Sequence, residues 1–520
     1  MDHPIAHETW EIRKPAVTSR EGLVASQHYL ASEIGAGVLA KGGNAIDAAV
    51  AAGLAIGTVE PWMSGLGGGG FMMIYLAKEK KVKAVQFGMV SPKGLDPDDY
   101  PLTGNQAADL FGWPEVEDNR HIQGPYSIAV PGYVAGVAKA LSEFGTMSWA
   151  DVIEPACMRA EQGMLADWYA SLKITTAASI LAQFPASKDM YLPGGYPPVG
   201  EWGGEPPLLK LGNLAKTLRR LQASGPEDYY HGEVARMIAE DAEACGSSLR
   251  AEDLAAYEAI VSDADVWKYR DATVFGAPGL SAGPTLKHAQ DLLSATELSG
   301  MPDEKAYSAY ADALLAAYDF RLKNLGDSDE SKSPSCTTHM TIVDKEGNIV
   351  ALTQTLLSLF GSKVVLPQTG ITMNNGIMWF DPRPGHVNSI APGKKPLSNM
   401  CPTIVEKANG TRFGIGASGG RKIMPAVYQL ISFMTDFDMD METAFHAARI
   451  DVSGTETVLL DAALADDVKV AMAANFSTAV ARNAAYPSMY ACPNSVSIDA
   501  NGDMVGSAYV ASPWAKVESA

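Results

Sequence analysis

Short apolar runs alternate with helix-like stretches between residues 22 and 140 of the chain. Their spacing predicts strands over residues 23–26, 71–76 and 82–87, and helices over residues 32–41 and 47–56. Glycine commonly ends a helix in the left-handed conformation, so Gly42 and Gly43 predict the break between the two helices. Residues 160–225 are rich in Pro, Gly and aromatic residues, which predicts long ordered loops around shorter helices.

The pattern changes near residue 330. Apolar spacing predicts a helix over residues 302–325, and the polar run that follows at 326–335 predicts an exposed, flexible loop. Residues 337–343 and 349–356 are then rich in β-branched side chains on either side of Lys345-Glu346-Gly347. This combination is typical of a β-hairpin.

The turn chemistry of this hairpin also predicts its register. If Gly347 takes the left-handed position of a three-residue loop, Asp344 faces Asn348. Counting back from that pair places Thr337 opposite Thr355, and paired residues of this kind have Cβ atoms about 4.5–5.5 Å apart. The sequence therefore predicts a loop that ends at a threonine facing a second threonine.

Composition narrows the functional classes. The 520 residues include 40 Lys and Arg against 60 Asp and Glu, and this net charge of −20 argues against a sequence-blind nucleic-acid binder. The most apolar stretch, residues 45–59, is shorter than the roughly 20 residues that a membrane span needs, so we expect no membrane partner. The N-terminal residues hold no apolar run that could serve as a signal-peptide core, which leads us to expect a cytoplasmic protein.

Cysteine and histidine spacing gives no metal motif. The five cysteines are scattered without a C-x-x-C pair, and their odd number rules out complete internal pairing. His3 and His7 form the one H-x-x-x-H pair, with Pro4 between them in a terminus that we expect to be poorly ordered. We therefore expect neither a metal nor a cofactor.

Three glycine-rich motifs suggest chemistry. Residues 65–70 fit the dinucleotide pattern G-x-G-x-x-G, but a helix precedes them and a strand follows, so we expect a tight turn or a close backbone approach instead. Residues 416–420 fit the G-x-S-x-G elbow around Ser418, which keeps a serine hydrolase as an alternative, although residues 279–283 fit it too. The backbone N–H groups of Gly419 and Gly420 could also bind an anion without any serine nucleophile.

Seven short segments occur in a fixed order along the chain: residues 42–49, 67–71, 131–136, 337–339, 374–375, 395–398 and 418–420. In their sequence and order the chain resembles the γ-glutamyltransferase family of N-terminal nucleophile hydrolases. The resemblance covers most of residues 22–499. It implies an α+β fold, a four-layer αββα sandwich.

The resemblance also implies a self-cleaving precursor. The family cuts itself before the first threonine of Thr-Thr-His, here between Cys336 and Thr337. The expected products, residues 1–336 and 337–520, would form one structural unit as a heterodimer, and a dimer of such pairs is left open. Thr337 would be the nucleophile, Thr355 would orient it, and Gly419 and Gly420 would hold the oxyanion.

The implied substrate-binding positions depart from the family's pattern. Gly88 stands where the family has an arginine for the substrate α-carboxylate. After Asn374 and Asn375, the family's acidic pair for the α-amino group is replaced by Gly376 and Trp379. A charged group buried without a partner costs several kcal/mol, so this pocket is not expected to favour a γ-glutamyl group.

Two further departures lie in the same set. Leu357 replaces the asparagine two residues beyond the second threonine, and in the Pro-Leu-Ser-Ser motif Ser398 is kept while Asn399 replaces the second serine. The segment 380–394 is also short for the family, which suggests that a lid loop is absent. Bulkier acyl groups could then enter.

The leading hypothesis is a self-processed N-terminal-threonine amidohydrolase. Its substrate would be a small-molecule amide with an acyl group other than γ-glutamyl, and water would resolve the acyl-enzyme. One alternative is a true γ-glutamyltransferase that recognises its substrate through other residues, such as Arg421 or Arg383. Another, from a different class, is a binding protein on the same fold that is never cleaved.

Overall fold

The computed structural model describes residue 10 and residues 12–106, 113–325, 337–453, 456–482 and 490–520. The strands are β1 Val17–Ser19, β2 Gly22–Ser26, β3 Gly69–Leu76, β4 Lys81–Phe87, β5 Leu102–Gln106, β6 Pro114–Val116, β7 Met164–Leu165, β8 Leu208–Leu209, β9 Ile260–Asp263, β10 Asp265–Tyr269, β11 Ala272–Gly276, β12 Thr338–Asp344, β13 Ile349–Thr355, β14 Val365–Leu366, β15 Ile371–Thr372, β16 Thr403–Glu406, β17 Arg412–Ser418, β18 Ile450–Asp451, β19 Thr457–Asp461, β20 Ser477–Ala481, β21 Cys492–Ile498, β22 Met504–Ala508 and β23 Lys516–Ser519. The helices are α1 Tyr29–Ala40, α2 Ala45–Val59, α3 Tyr133–Phe144, α4 Trp149–Gln162, α5 Trp168–Leu181, α6 Pro185–Tyr191, α7 Leu214–Ser224, α8 Asp228–His231, α9 Glu233–Cys245, α10 Ala251–Ala255, α11 Gly283–Leu293, α12 Glu304–Asn324, α13 Ile423–Asp436, α14 Met441–His446 and α15 Asp466–Asn475.

Two seven-stranded sheets carry most of the architecture. The first has the order β1-β22-β21-β17-β16-β11-β10, and the second β23-β2-β12-β13-β3-β4-β9. Neighbouring strands are antiparallel throughout both sheets. The fold is therefore a mixed α+β structure, as the resemblance implied.

Alternation along the strands places one apolar set between the sheets and another on each outer side. Phe71 and Met73 of β3 meet Ile404 and Val496 of the first sheet between the two sheets. Met72 of β3 instead faces a cluster that includes α1 to α4. A third cluster joins the outer face of the first sheet to α11, α12 and α13. The sheets thus pack face to face, with helices covering both outer faces.

The strands predicted over 23–26, 71–76 and 82–87 are confirmed as β2, β3 and β4. The helix predicted over 302–325 begins later, at Glu304, because the Asp303 carboxylate caps it by accepting a hydrogen bond from Ala306 N at 3.0 Å. Pro302 therefore lies outside the helix. The flexible loop predicted at 326–335 lies outside the described residues.

Both large sheets draw strands from before and after Thr337. In the second sheet, β2 lies between β23 and β12, and β3 pairs with β13. In the first sheet, β1 pairs with β22 at one end and β11 with β16 near the other. Neither half of the sequence could complete either sheet alone.

Candidate active site

The β12–β13 hairpin has the predicted turn and register. Gly347 has a φ of +83°, in the left-handed region, and its N–H donates to Asp344 O at 2.9 Å. Asp344 N donates to Asn348 O at 3.1 Å, so these two residues face each other. The pairing of Thr338 with Gln354 ends the described ladder. One residue further, the same register sets Thr337 opposite Thr355.

The side chain of Thr337 is fully buried, and its hydroxyl has no hydrogen-bond partner among the described residues. Thr355 is also fully buried, and its hydroxyl accepts a hydrogen bond from Leu357 N at 2.7 Å. Leu357, two residues after Thr355, has a φ of +90°, a backbone conformation that is rare for a side chain of this kind. The Thr337 hydroxyl is thus uncommitted among the described residues, which suits a candidate nucleophile.

The glycine run before β3 lets that strand approach the hairpin closely. A Cβ atom on Gly68 would lie 2.2 Å from the carbonyl oxygen of Thr355, and one on Gly70 would lie 2.3 Å from that of Thr353. Only glycine fits such distances. The predicted order of helix, glycines and strand is confirmed.

Gly419 and Gly420 form a turn between β17 and α13. Their φ values are +132° and +67°, and a Cβ on Gly419 would lie 2.8 Å from Ala491 Cα. Gln27 links this turn to the hairpin, because its amide accepts from Thr338 Oγ1 at 2.6 Å and donates to Ser418 Oγ. The residue after Thr337 and the residue before Gly419 therefore contact the same side chain.

His339 is a structural residue of the hairpin. Its ring nitrogens bond to the hydroxyls of Thr353 at 2.8 Å and Thr341 at 2.9 Å. The ring packs on Gly416, where a Cβ would lie 2.3 Å from the imidazole. Burial lowers the pKa of His339 to about 3, so the imidazole is neutral at working pH.

The serines of the two G-x-S-x-G matches are both committed to hydrogen bonds. Ser418 Oγ accepts from Gln27. Ser281 Oγ donates to Ala277 O and accepts from Gly283 N at 3.0 Å. Their hydroxyls help to fix the turns in which they lie.

Asn375 fixes the loop that follows Thr355. Its side-chain oxygen accepts from Ser358 N at 3.0 Å, and its amide nitrogen donates to Ile122 O at 2.7 Å and to Ser358 Oγ at 2.8 Å. Gly376 lies next to it, and a Cβ there would come within 2.8 Å of Ala129 and of the Met89 sulfur. The space beside Gly376 is therefore already filled by the side chains of Ala129 and Met89.

Gly88 has more space around it. Its carbonyl accepts from the Tyr257 hydroxyl at 2.6 Å, and the nearest atom to a Cβ added there would be in Phe71, at 3.9 Å. Trp379 is fully buried in the apolar cluster between the sheets, and its indole N–H has no partner among the described residues. Gly88 therefore has room beside it, and Trp379 separately has an unsatisfied donor.

Ser398 and Asn399 are held by a buried arginine that sequence patterns did not point to. Arg321, on α12, donates to Ser398 O at 2.8 Å and to Asn399 Oδ1 at 2.9 Å. Ser398 Oγ accepts from Met400 N at 3.1 Å. Burial lowers the pKa of Arg321 to about 10, which leaves it charged at neutral pH.

Two more arginines gather around Trp113. The guanidinium carbons of Arg421 and Arg383 lie 6.0 Å and 5.8 Å from its ring centroid. Arg383 also forms an ion pair with the fully buried Asp381. Arg421 directly follows Gly420, so a cation lies close to the candidate oxyanion turn.

Cys336, the predicted residue before the cut, lies outside the described residues. Within the described ranges, no three His, Cys, Asp or Glu side chains are grouped so that they could hold a metal ion. Across the same ranges, no helix combines the length and apolar character needed to cross a membrane.

Comparison with known sequences decides the family. A profile of the family described as Gamma-glutamyltranspeptidase matches residues 31–336 and 330–508. The chain belongs to the gamma-glutamyltranspeptidase family. The resemblance read from the seven segments is thereby confirmed, and the chain is an enzyme of the amide hydrolase and acyltransferase type.

Relatives within this gamma-glutamyltranspeptidase group carry different names. The "Acylase ACY 1 proenzyme" of Pseudomonas sp. (strain V22) is 31% identical over 535 residues, covering 95% of this chain and 93% of the relative. The "Glutathione hydrolase proenzyme" of Bacillus subtilis (strain 168) is 30% identical over 501 residues, covering 85% and 82%. The crystal structure of cephalosporin acylase from Bacillus halodurans has a TM-score of 0.86 at 22% identity, covering 100% and 99%, which shows a shared fold.

Proposed function

We propose that this protein is a self-processing amidohydrolase with Thr337 as its nucleophile. The observation that carries the proposal is the buried Thr337 hydroxyl, which has no hydrogen-bond partner among the described residues and lies one residue beyond the Thr338–Gln354 pair. Both relatives described above are named as proenzymes, in keeping with a chain that is cut to become active. The cut would leave residues 1–336 and 337–520 as a heterodimer that shares one four-layer αββα fold of the N-terminal nucleophile type.

Cleavage would need only groups of the chain and one water molecule. Thr337 Oγ attacks the Cys336 carbonyl carbon, the peptide C–N bond breaks, and an ester forms while the nitrogen takes up a proton. Water then hydrolyses the ester, which returns the Thr337 hydroxyl and leaves a carboxylate on Cys336. The new α-amino group has an ordinary pKa of about 7.7–8.0, so it can act as the base for its own hydroxyl.

Turnover of an amide substrate would repeat this chemistry. The Thr337 amine accepts the hydroxyl proton as Oγ attacks the substrate carbonyl, and the backbone N–H groups of Gly419 and Gly420 stabilise the oxyanion. Loss of one such donor typically costs about 10²–10³ in rate. The amine product leaves with a proton, and water releases the acyl group from Thr337.

The acyl group proposed is not γ-glutamyl. Gly88 and Gly376 offer no charged side chain to an α-carboxylate or α-amino group, while Trp379, Met378 and Leu357 are buried apolar neighbours. An apolar acyl group avoids the desolvation of two unpaired charges.

Intact mass spectrometry of the purified protein and of Thr337→Ala tests the nucleophile. We expect two fragments separating between Cys336 and Thr337 in the wild type, and one whole chain in the variant. Cleaved protein is then assayed with alkanoyl, phenylacetyl and γ-glutamyl anilides. A wild-type chain that stays whole would contradict the proposed self-cleavage. Efficient turnover of the γ-glutamyl anilide would contradict the proposal that the acyl group is not γ-glutamyl.

A second candidate is a glutathione hydrolase with altered recognition. Arg421 and Arg383 near Trp113 favour it, since either cation could meet a substrate carboxylate. Arg421→Ala should then abolish γ-glutamyl turnover and leave self-cleavage intact. Equal turnover by Arg421→Ala and wild type would exclude Arg421 from that role.

A further inference from the structure

The 357–363 loop, which begins two residues after Thr355, has an unusual backbone. Leu357, Phe360 and Lys363 have φ values of +90°, +59° and +64°, and they are three of the eight non-glycine residues with a positive φ in the described part of the chain. Such conformations are costly for residues with side chains, and they persist only where neighbouring contacts hold them. The loop beside Thr355 therefore needs contacts that keep it in this shape.

A lysine buried within the loop supplies two of these contacts. Lys363 is only 7% exposed, although lysine is seldom buried in proteins. Its Nζ atom donates to Ser358 Oγ at 2.9 Å and to Gly361 O at 2.9 Å. Hydrogen bonds from a charged donor are stronger than those between neutral groups, so the Lys363 side chain ties the end of the loop firmly to its start.

Ser358 connects this lysine to the rest of the structure. Its hydroxyl also accepts from Asn375 Nδ2 at 2.8 Å and donates its single hydrogen to Gly361 O at 3.1 Å. Its backbone N–H donates to Asn375 Oδ1 at 3.0 Å. The Ser358 oxygen accepts two bonds and donates one, which uses its full capacity. Side chain and backbone of Ser358 are thus both held.

The bonds of Ser358 fix the direction of the preceding N–H group. Leu357 lies two residues after Thr355 and one before Ser358, and its N–H donates to Thr355 Oγ1 at 2.7 Å. On the other side, Leu356 N donates to Met63 O at 2.8 Å, so the backbone is held both before and after Leu357. The loop therefore keeps one donor pointed at the Thr355 hydroxyl.

We infer that Lys363 is a positioning residue, whose ammonium group holds the 357–363 loop so that Leu357 N–H stays on Thr355 Oγ1. The inference rests on the proposed self-cleavage, in which Thr355 would orient Thr337. It assigns Lys363 an effect on the reaction through the Thr355 hydroxyl, without contact with the substrate.

The backbone of Lys363 is held separately from its side chain. Lys363 N donates to Phe360 O at 2.8 Å, and Lys363 O accepts from Ser187 Oγ at 2.7 Å. Lys363→Met removes the N–H donors but keeps a side chain of similar length, and Ser358 Oγ and Gly361 O each keep another partner. We therefore expect the variant to fold with a less firmly held loop.

The rate of self-cleavage tests this inference. Wild-type, Lys363→Met and Lys188→Met chains are made by cell-free synthesis, and cleavage before Thr337 is timed by intact mass spectrometry. Lys363→Met should cleave about tenfold to a hundredfold more slowly, the loss expected when hydrogen bonds from a charged group are removed. Lys188, an exposed lysine on α6 next to Ser187, is the matched control and should keep the wild-type rate.

A Thr355→Val background separates positioning from a general structural role. If Lys363 acts through the Thr355 hydroxyl, Lys363→Met should slow cleavage of Thr355→Val by less than about twofold. Ser358→Ala removes the oxygen that Lys363 binds, so it should slow the wild type as Lys363→Met does and lose this effect in Thr355→Val. Circular dichroism of the same changes in the uncleaved Thr337→Ala chain measures folding.

The outcomes distinguish the inference from the proposed function. A folded Lys363→Met chain that cleaves at the wild-type rate overturns the positioning role, and so does equal slowing in the wild-type and Thr355→Val backgrounds. If Lys363→Met does not fold, Ser358→Ala decides by the same two comparisons. A wild-type chain that never cleaves overturns the proposed self-cleavage itself.

Discussion

At the scale of single residues, the hydroxyl groups around the candidate nucleophile differ in their hydrogen bonds. Thr337 has an unbonded hydroxyl among the described residues, Thr338 donates to Gln27, and Ser418 accepts from it. Thr355 receives the N–H of Leu357. The candidate nucleophile is thus surrounded by hydroxyls that hold structure, which leaves its own hydroxyl available for chemistry.

Thr355→Val should slow self-cleavage by about tenfold to a hundredfold. The change keeps the shape of the side chain but removes the acceptor of Leu357 N, and an unsatisfied buried donor costs about 1–3 kcal/mol. Mass spectrometry over a time course measures the rate. Thr355→Ser keeps the hydroxyl and serves as the control; equal rates for the Val and wild-type proteins would contradict the prediction.

His339 should make the protein acid-sensitive. Its folded pKa is lowered to about 3 from 6.5, so the folded form binds fewer protons, and stability falls as the pH drops below 6.5. In the uncleaved Thr337→Ala background, His339→Asn should remove this loss. We expect the difference between the two unfolding free energies to change by about 2 kcal/mol from pH 7.5 to pH 5, measured by urea unfolding. An unchanged difference would mean that His339 titrates normally.

At the scale of elements, the candidate site is made where the ends of four strands meet. The β12–β13 hairpin brings the two threonines together, β3 approaches them through glycines, and β17 ends in the Gly419 turn. These contacts lie on backbone atoms as much as on side chains. Small changes in strand spacing should therefore affect chemistry before they affect the fold.

Gly68→Ala should reduce self-cleavage at least tenfold. A Cβ atom at this position would lie 2.2 Å from Thr355 O, so the strand or the hairpin must move. Gly37→Ala is the matched control, because that glycine lies within α1 and has no atom within 4 Å of an added Cβ. The control should cleave normally with a slightly higher melting temperature. Normal cleavage by Gly68→Ala would show that the approach tolerates a methyl group.

Sequence patterns predicted the local part of this arrangement well. Gly347 and the β-branched runs fix the hairpin register through turn chemistry alone, and the glycine run signalled a close approach. Gln27 and Arg321 were not predicted as site residues, because the site residues that they bind lie between 77 and 391 residues away along the chain. A lone glutamine or arginine has no periodicity that reports such a partner, so only the packed structure brings these side chains to the candidate site.

At the scale of the whole molecule, the two predicted fragments are interleaved. Thr337 separates strands that alternate in the second sheet, where β2 lies between β23 and β12. The first sheet likewise joins β1 to β22 and β11 to β16. The hydrogen bonds of both sheets would hold a cut chain together.

Fragments 1–336 and 337–520 should remain associated after cleavage and should fail to fold when produced separately. Each alone lacks neighbours for its central strands, which leaves backbone groups and apolar faces unpaired. Gel filtration of the cleaved protein and circular dichroism of the separate fragments measure the two outcomes. A folded isolated fragment would contradict the prediction.

Because the two fragments are interleaved, cleavage before Thr337 would make unfolding of the protein hard to reverse. Before the cut, one covalent chain brings every strand within reach of its neighbours, so folding does not depend on concentration. After the cut, an opened molecule becomes two diffusing chains whose strands must be threaded alternately into two sheets. The lifetime of the cleaved protein would then be set by its unfolding rate rather than by a folding equilibrium. The single peptide bond before Thr337 would thus determine whether a lost fold can be regained.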